Sequence, residues 1–150
     1  MSEPIHASGY ESGHELAAAL APIRVVLVED HATVRRGLKM ILRSADDIMV
    51  VGKAGDGEEA QRVCAEVQPD LVLMDLRLPG LGGVETIRAL QHFRHVPQVL
   101  VLTTFNDERL IAEALAAGAS GYLLKQVDKA ALTAAIRTAA GRILDGLAGW

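Results

Sequence analysis

The 150-residue sequence contains a single cysteine and only five aromatic residues: two phenylalanines, two tyrosines and one tryptophan. With one cysteine, no disulfide can form within the chain. Cys64 lies among apolar neighbours in the segment AQRVCAEV, a setting typical of a small buried hydrophobic residue rather than a reactive thiol. The chain is therefore expected to fold around an ordinary apolar core.

The sequence also has no excess of basic residues and no long apolar run. Its net charge of -4 gives no overall positive field toward nucleic acid, so DNA binding by this chain alone is disfavoured. No apolar stretch reaches the ~20 residues that cross a bilayer. The first residues lack the basic start and apolar length of a secretory signal. We expect a cytoplasmic protein with no membrane partner.

What the sequence does contain is an alternation of short apolar strands with amphipathic helices. The β-branched run IRVVLV is followed by HATVRRGLKMILRS, in which Val34, Leu38 and Ile41 fall on one helical face. Four similar pairs follow, which makes five strand-helix units. Strands that are apolar on both faces and alternate with helices predict an α/β fold, with a parallel sheet covered on both sides.

Four residues mark the expected ends of helices. Asp56, Asp107 and Asp128 stand where N-caps belong, and Gly118 stands where a helix would close.

Polar residues collect at the predicted carboxyl ends of the strands. The first strand ends in Glu29 and Asp30, the third in Asp75, the fourth in Thr103 and the fifth in Lys125. Ligands of parallel α/β sheets bind outside these ends. Any one of these residues alone would be read as a solvated loop residue or a helix cap. Together the carboxylates, hydroxyl and ammonium predict one functional site.

Four segments carry a resemblance to a known family: VVLVEDHATVRRGLKMIL, DLVLMDLRLPGLGGVETIRAL, VLTTFND and ALAAGASGYLLK. They resemble the receiver domain of bacterial two-component response regulators, in particular the NarL/FixJ class. The resemblance implies a flavodoxin-like (βα)5 three-layer sandwich with a parallel five-stranded sheet in the order 2-1-3-4-5. The resemblance covers 23–141, which predicts a receiver domain there; we expect a flexible N-terminal extension at 1–22 and the start of a linker or tail at 142–150, with no output domain.

The resemblance also implies the chemistry of the site. Asp75 would accept a phosphoryl group from a phosphohistidine of a sensor histidine kinase. Lys125 would pair with the phosphoryl oxygens, and Thr103 would donate a hydrogen bond to them. Thr103 and Tyr122 would form the conformational switch; the alternative for Tyr122 is a ring packed on the fifth helix with its hydroxyl in water.

A magnesium ion is the implied cofactor, since adjacent carboxylates repel one another unless a hard cation lies among them. Asp30 and Asp75 would bind Mg²⁺ directly, the backbone carbonyl of Arg77 would complete the protein ligands, and Glu29 would act through water. Glu29 stands where the family often has aspartate, which affects affinity rather than binding itself.

Two residues beside the predicted site would affect the lifetime of the phosphorylated state, and a third bears on the peptide bond after Lys125. Arg77 and Phe105 would flank the route by which water attacks the acyl phosphate, although Arg77 fits a solvated loop charge equally well. Gln126 stands where many receivers have proline after a cis peptide, and a cis bond before glutamine would cost ~2.5–4 kcal/mol.

The resemblance implies a signalling domain, not an enzyme beyond its own phosphorylation and dephosphorylation. It would control transcription through a helix-turn-helix output domain that we expect to be absent from this chain. The alternative is a stand-alone receiver that docks to other proteins. A magnesium-dependent aspartyl-phosphate hydrolase is disfavoured because Arg77 replaces the second acid such enzymes use. A nucleotide- or flavin-binding module is disfavoured because the sequence has neither the glycine pattern that binds a dinucleotide nor the lysine-bearing phosphate loop.

The expected partners are a sensor histidine kinase and, after phosphorylation, a second copy of the chain. The kinase would dock near the first helix, where Arg35, Arg36 and Lys39 either contribute to docking or form a solvated face. The homodimer would use either the face of the fourth helix, fifth strand and fifth helix, or that of the first and fifth helices.

Overall fold

The computed structural model describes residues 21–104 and 107–142, and within them five strands alternate with five helices. The strands are β1 (Ile23–Val28), β2 (Ile48–Ala54), β3 (Leu71–Asp75), β4 (Gln98–Thr103) and β5 (Gly121–Leu124). The helices are α1 (Ala32–Arg43), α2 (Gly57–Val67), α3 (Gly83–Leu90), α4 (Glu108–Ala117) and α5 (Lys129–Ala139). None of these helices combines the length and apolar character that a membrane-spanning helix requires. Most of the predicted N-terminal extension and of the predicted C-terminal tail lies outside the described residues.

The strands form one parallel sheet in the order β2-β1-β3-β4-β5. This is the predicted order, and the expected α/β alternation is confirmed. β3 lies at the centre of the sheet, and all five of its residues are buried. A continuous apolar run is what a strand covered on both faces requires.

Alternate residues of β3 project into two separate apolar layers. Val72 and Met74 belong to the layer that contains Ala60, Ile87 and Ala114 of α2, α3 and α4. Leu71 and Leu73 belong to the opposite layer, together with residues of α1 and α5: Leu42, Leu132 and Ile136. Because successive side chains of a strand point to opposite faces, one apolar strand supplies both layers. The predicted three-layer sandwich is confirmed.

The first of these layers contains the cysteine. Cys64 lies on α2 and is buried, and burial raises the pKa of its thiol to about 12. A thiol that is buried and protonated at neutral pH is a poor nucleophile. The interpretation of Cys64 as a small core residue is confirmed.

The predicted helix ends agree with the structure, and two of the three aspartates cap their helix through the side chain. The carboxylates of Asp56 and Asp128 accept hydrogen bonds from the backbone amides of Glu59 (2.7 Å) and Ala131 (2.8 Å). Gly118 follows α4 with a φ of 126°, a conformation that glycine adopts without steric cost. Asp107 precedes α4, but its side chain makes no capping hydrogen bond. Its carboxylate binds elsewhere, in the site described below.

A bidentate ion pair joins α5 to the loop before β2. Arg137 donates from Nε to Oδ2 of Asp47 at 2.6 Å and from Nη2 to Oδ1 at 3.0 Å. These hydrogen bonds hold the pKa of Asp47 below its usual value.

We expect Asp47→Asn to lower the free energy of unfolding by about 0.5–1 kcal/mol at neutral pH, because the pair is partly exposed and screened by solvent. A carboxyl whose pKa is lowered by folding stabilises the protein above its unfolded-state pKa of about 4, and this contribution disappears as the pH falls through the folded-state value. Urea unfolding at neutral and acidic pH checks the prediction, with Asp46→Asn as the control. An equal loss of stability at both pH values would contradict it.

Candidate functional site

The sheet order places the carboxyl ends of β1, β3, β4 and β5 side by side. Val28 at the end of β1 pairs with Met74 of β3, and Thr103 at the end of β4 pairs with Leu124 of β5. The polar residues that end or follow these strands therefore meet at one edge, as parallel strands require.

Lys125 joins two of the predicted acidic residues through its ammonium group. Its Nζ lies 2.9 Å from Oδ2 of Asp75 and 3.2 Å from Oε1 of Glu29. Asp75 is 5% exposed and Glu29 is 2% exposed. Two carboxylates are stable in such a setting only when a cation compensates their charge, and Lys125 provides it.

Burial and hydrogen bonding shift the pKa values of Asp75, Glu29 and Lys125 in different directions. Burial raises the pKa of Asp75; hydrogen bonds from Lys125 and from the backbone amide of Arg77 offset part of the effect. Burial also acts to raise the pKa of Glu29, but hydrogen bonds from His31 and Lys125 outweigh it and the net shift is downward. Burial acts to lower the pKa of Lys125, yet Asp75 and Glu29 raise it overall. Lys125 therefore stays charged at neutral pH.

The structure adds a histidine to the acidic end of β1. Nδ1 of His31 lies 3.0 Å from Oε2 of Glu29 and 3.2 Å from Oδ1 of Asp30. The hydrogen bond with Glu29 is the main reason that the pKa of His31 is raised. Sequence reasoning missed His31, although its position directly after the acidic pair was a usable signal.

The candidate metal ligands divide into a cluster at the end of β1 and the carboxylate of Asp75. In the described part of the chain, Glu29, Asp30 and His31 form a group whose candidate ligand atoms all lie within 4.8 Å of one another. Asp75 stands apart from this group, with the ammonium of Lys125 between it and Glu29. Carboxylate oxygens are the ligands that Mg²⁺ prefers, so the donor chemistry of Glu29, Asp30 and Asp75 fits a hard divalent cation.

Arg77 contacts Asp75 through its backbone and Asp107 through its side chain. Its amide donates to Oδ1 of Asp75 at 3.1 Å. Its guanidinium donates from Nε to Oδ2 of Asp107 at 3.2 Å and from Nη2 to Oδ1 of the same carboxylate. The side chain of Arg77 is thus 63% exposed, and its guanidinium is at the same time paired with a specific carboxylate.

Asp107 lies at the predicted N-cap position of α4, but its carboxylate binds partners that the sequence did not predict. It is 3% exposed, and besides Arg77 it accepts hydrogen bonds from the hydroxyls of Thr103 (2.8 Å) and Thr104 (3.0 Å). The hydrogen bond from Arg77, helped by those from the two threonines, lowers the pKa of Asp107 to about 2. The spacing of Asp107 four residues after Thr103 was compatible with such contacts, but also with a helix cap.

The remaining predicted residues lie in different settings. Thr103 is completely buried, and its hydroxyl donates to Asp107 rather than toward Asp75. Tyr122 is 50% exposed. The peptide bond between Lys125 and Gln126 is trans, and Phe105 lies outside the described residues.

Comparison of the sequence with known proteins establishes the family. The profile of the response regulator receiver domain matches residues 25–137, which is more than half of the chain. Among curated proteins, the transcriptional regulatory protein LiaR of Bacillus subtilis (strain 168) is 41% identical over 117 residues, covering 78% of this chain and 56% of that protein. The nitrate/nitrite response regulator protein NarL of Escherichia coli (strain K12) is 37% identical over 119 residues, covering 79% and 55%. The chain thus spans about half the length of these relatives.

Comparison with solved structures gives the same result. The signal receiver domain of the putative response regulator NarL from Mycobacterium tuberculosis superposes with a TM-score of 0.77 at 30% identity, covering 81% of this chain and 98% of that one. The response regulator ChrA of a heme-sensing two-component system superposes with a TM-score of 0.70 at 42% identity, covering 81% and 58%. The sequence profile, the relatives and the fold agree, and this chain belongs to the response regulator receiver domain family.

Proposed function

We propose that residues 23–141 are a phosphoacceptor receiver in which Asp75 takes a phosphoryl group from a sensor histidine kinase. The observation that carries the proposal is a buried carboxylate at the carboxyl end of the central strand, held by an ammonium 2.9 Å away. The curated relatives include transcriptional regulators about twice as long as the match. Control of transcription through a helix-turn-helix output domain is therefore the proposed role of the whole protein.

The transfer makes a bond between an oxygen of Asp75 and phosphorus and breaks the bond between phosphorus and the donor's histidine nitrogen, which takes up a proton. The reaction needs positioning and charge compensation more than covalent chemistry from the protein. Lys125 already lies against Asp75 and would move its ammonium to the phosphoryl oxygens, where negative charge collects. Because Lys125 keeps its proton, this compensation persists across the physiological pH range.

Magnesium is the proposed cofactor of this site. When bound, it would offset the charge of the transferring phosphoryl group and help to orient it. Asp30, Asp75 and the backbone carbonyl of Arg77 would hold it directly, and Glu29 through water. The carboxylates of this chain favour such binding because the ion relieves their mutual repulsion.

The response would pass through Thr103 and Tyr122. Thr103 would turn toward the phosphoryl group and Tyr122 would move inward from its exposed position, shifting the population of two conformations. Arg77 and Phe105 would govern the access of water to the acyl phosphate. The kinase would dock beside α1, and a homodimer would form on the shifted surface.

Intact-mass measurement after incubation with acetyl phosphate and Mg²⁺ tests the proposal. We expect wild type to gain one phosphoryl group, and we expect Asp75→Asn or a chelator to abolish the gain. Asp128→Asn, at an exposed helix cap, is the control and should gain the group normally. A phosphoryl adduct on Asp75→Asn would refute Asp75 as the acceptor, and steady phosphate release without an adduct would indicate a hydrolase.

A further inference from the structure

We infer that Asp107 is a positioning residue that holds the receiver in its unphosphorylated conformation by retaining the hydroxyl of Thr103. This inference rests on the function proposed above and concerns the same site. It assigns to Asp107 a role separate from phosphoryl transfer itself: the carboxylate competes with the phosphoryl group for the one proton that Thr103 can donate.

Asp107 and the phosphoryl group compete because Thr103 can donate to only one of them at a time. A threonine hydroxyl has a single proton to donate, and here it goes to Oδ2 of Asp107 at 2.8 Å. Thr103 is completely buried, so its hydroxyl has no bulk water to turn to and must exchange one protein partner for another. A hydrogen bond to a carboxylate is among the stronger ones, so the phosphoryl group has to outcompete a favourable contact.

The contact can open because Asp107 does not depend on Thr103 alone. The same Oδ2 atom also accepts from Thr104 at 3.0 Å and from Nε of Arg77 at 3.2 Å. When Thr103 leaves, these donors still satisfy a carboxylate that is 3% exposed. The arrangement therefore supports two states, one with Thr103 on Asp107 and one with Thr103 released.

Asp107 also connects the chain that follows β3 with the end of β4. Arg77 belongs to the loop after β3, and its backbone amide donates to Asp75 at 3.1 Å. Its guanidinium reaches across to Asp107, which lies before α4. The carboxylate of Asp107 thus contacts both Arg77, two residues after the acceptor Asp75, and Thr103 at the end of β4.

The test uses the beryllium trifluoride anion, which takes the place of a phosphoryl group when a carboxylate oxygen coordinates its beryllium, so that no phosphoryl transfer is needed. With Mg²⁺ present, ¹⁹F NMR measures its apparent dissociation constant for wild type, Asp107→Asn, Thr103→Val and the double variant. A state that is only partly populated weakens the apparent affinity of the ligand that selects it. We expect Asp107→Asn to bind the anion at least about five-fold more tightly than wild type.

The Thr103→Val background separates retention of the Thr103 hydroxyl from two simpler effects of Asp107→Asn, the loss of a charge and a loosened fold. Removal of a negative charge near the site would strengthen anion binding whether or not Thr103 has a hydroxyl, and a loosened fold would change the affinity equally in both backgrounds. We expect Asp107→Asn to change the affinity by less than about two-fold in the Thr103→Val background. Asp56→Asn, another aspartate before a helix, is the matched control, and thermal unfolding verifies that each variant folds.

Equal tightening with and without the Thr103 hydroxyl would overturn the inference, as would an Asp107→Asn variant that binds like wild type. Both results leave the proposed function standing as long as wild type binds the anion and an Asp75→Asn variant, measured alongside, does not. A wild-type chain that fails to bind the anion would overturn the proposed function and this inference together.

Discussion

Replacing Lys125 with methionine is expected to slow phosphorylation of Asp75 by acetyl phosphate about 100-fold or more. The ammonium lies 2.9 Å from Asp75 and 3.2 Å from Glu29, and methionine keeps much of the side-chain volume without the charge. Asp75 and Glu29 would then lose the ammonium that lies between them, and the developing charge on the phosphoryl oxygens would lose the contact proposed for Lys125.

The same substitution should change the pH dependence of the reaction. Burial already raises the pKa of Asp75, and Lys125 is the largest of the influences that lower it. Without Lys125 the pKa of Asp75 rises further, so a larger fraction of the carboxyl is protonated and unable to attack phosphorus as the pH falls. The rate deficit of Lys125→Met should therefore widen toward acidic pH.

Quenched time courses followed by intact mass measure both effects. Lys129→Met, an exposed lysine at the start of α5, removes the same charge from a position outside the site and should react like wild type. A Lys125→Met variant with the wild-type rate would show that the ion pair serves structure rather than transfer.

Gly83→Ala is expected to lower the free energy of unfolding by about 1–3 kcal/mol and to slow phosphorylation as well. A Cβ at Gly83 would lie 2.7 Å from Cα and 2.8 Å from the carbonyl oxygen of Leu76, and 3.1 Å from the carbonyl oxygen of Asp75. These neighbours are backbone atoms, which cannot rotate away as a flexible side chain would. The methyl group must push the chain that follows Asp75, and the acceptor carboxylate moves with it.

Gly37→Ala provides the matched comparison, since Gly37 lies inside α1 and a Cβ added there would meet no atom from outside its own helix within 4 Å. There the substitution should raise the free energy of unfolding by about 0.5–1 kcal/mol, because alanine restricts the unfolded chain and favours a helix. Urea unfolding and the rate of phosphorylation measure both variants. A Gly83→Ala variant as stable and as reactive as wild type would contradict the close contact with Leu76.

The sequence determined the architecture because the patterns that encode it are local. A run such as LVLM in β3 is apolar on both faces, and that character predicts a central strand in a covered parallel sheet. The carboxyl ends of parallel strands share one edge, so Glu29, Asp75 and Lys125 were expected together although 96 residues separate the outer two. Their residue types suggested the chemistry, and the resemblance to receivers gave the roles proposed for them.

The hydrogen-bond partner of each polar group is visible in the folded structure and not in the sequence. Asp107 precedes a helix, and its local pattern predicts a cap; its carboxylate instead binds Arg77, which lies 30 residues away in the sequence. Thr103 donates to that carboxylate and not toward Asp75. A strand end or a cap position can be read from neighbours in the sequence, whereas a hydrogen-bond partner depends on distance and burial among segments that are far apart in the sequence and adjacent in the fold.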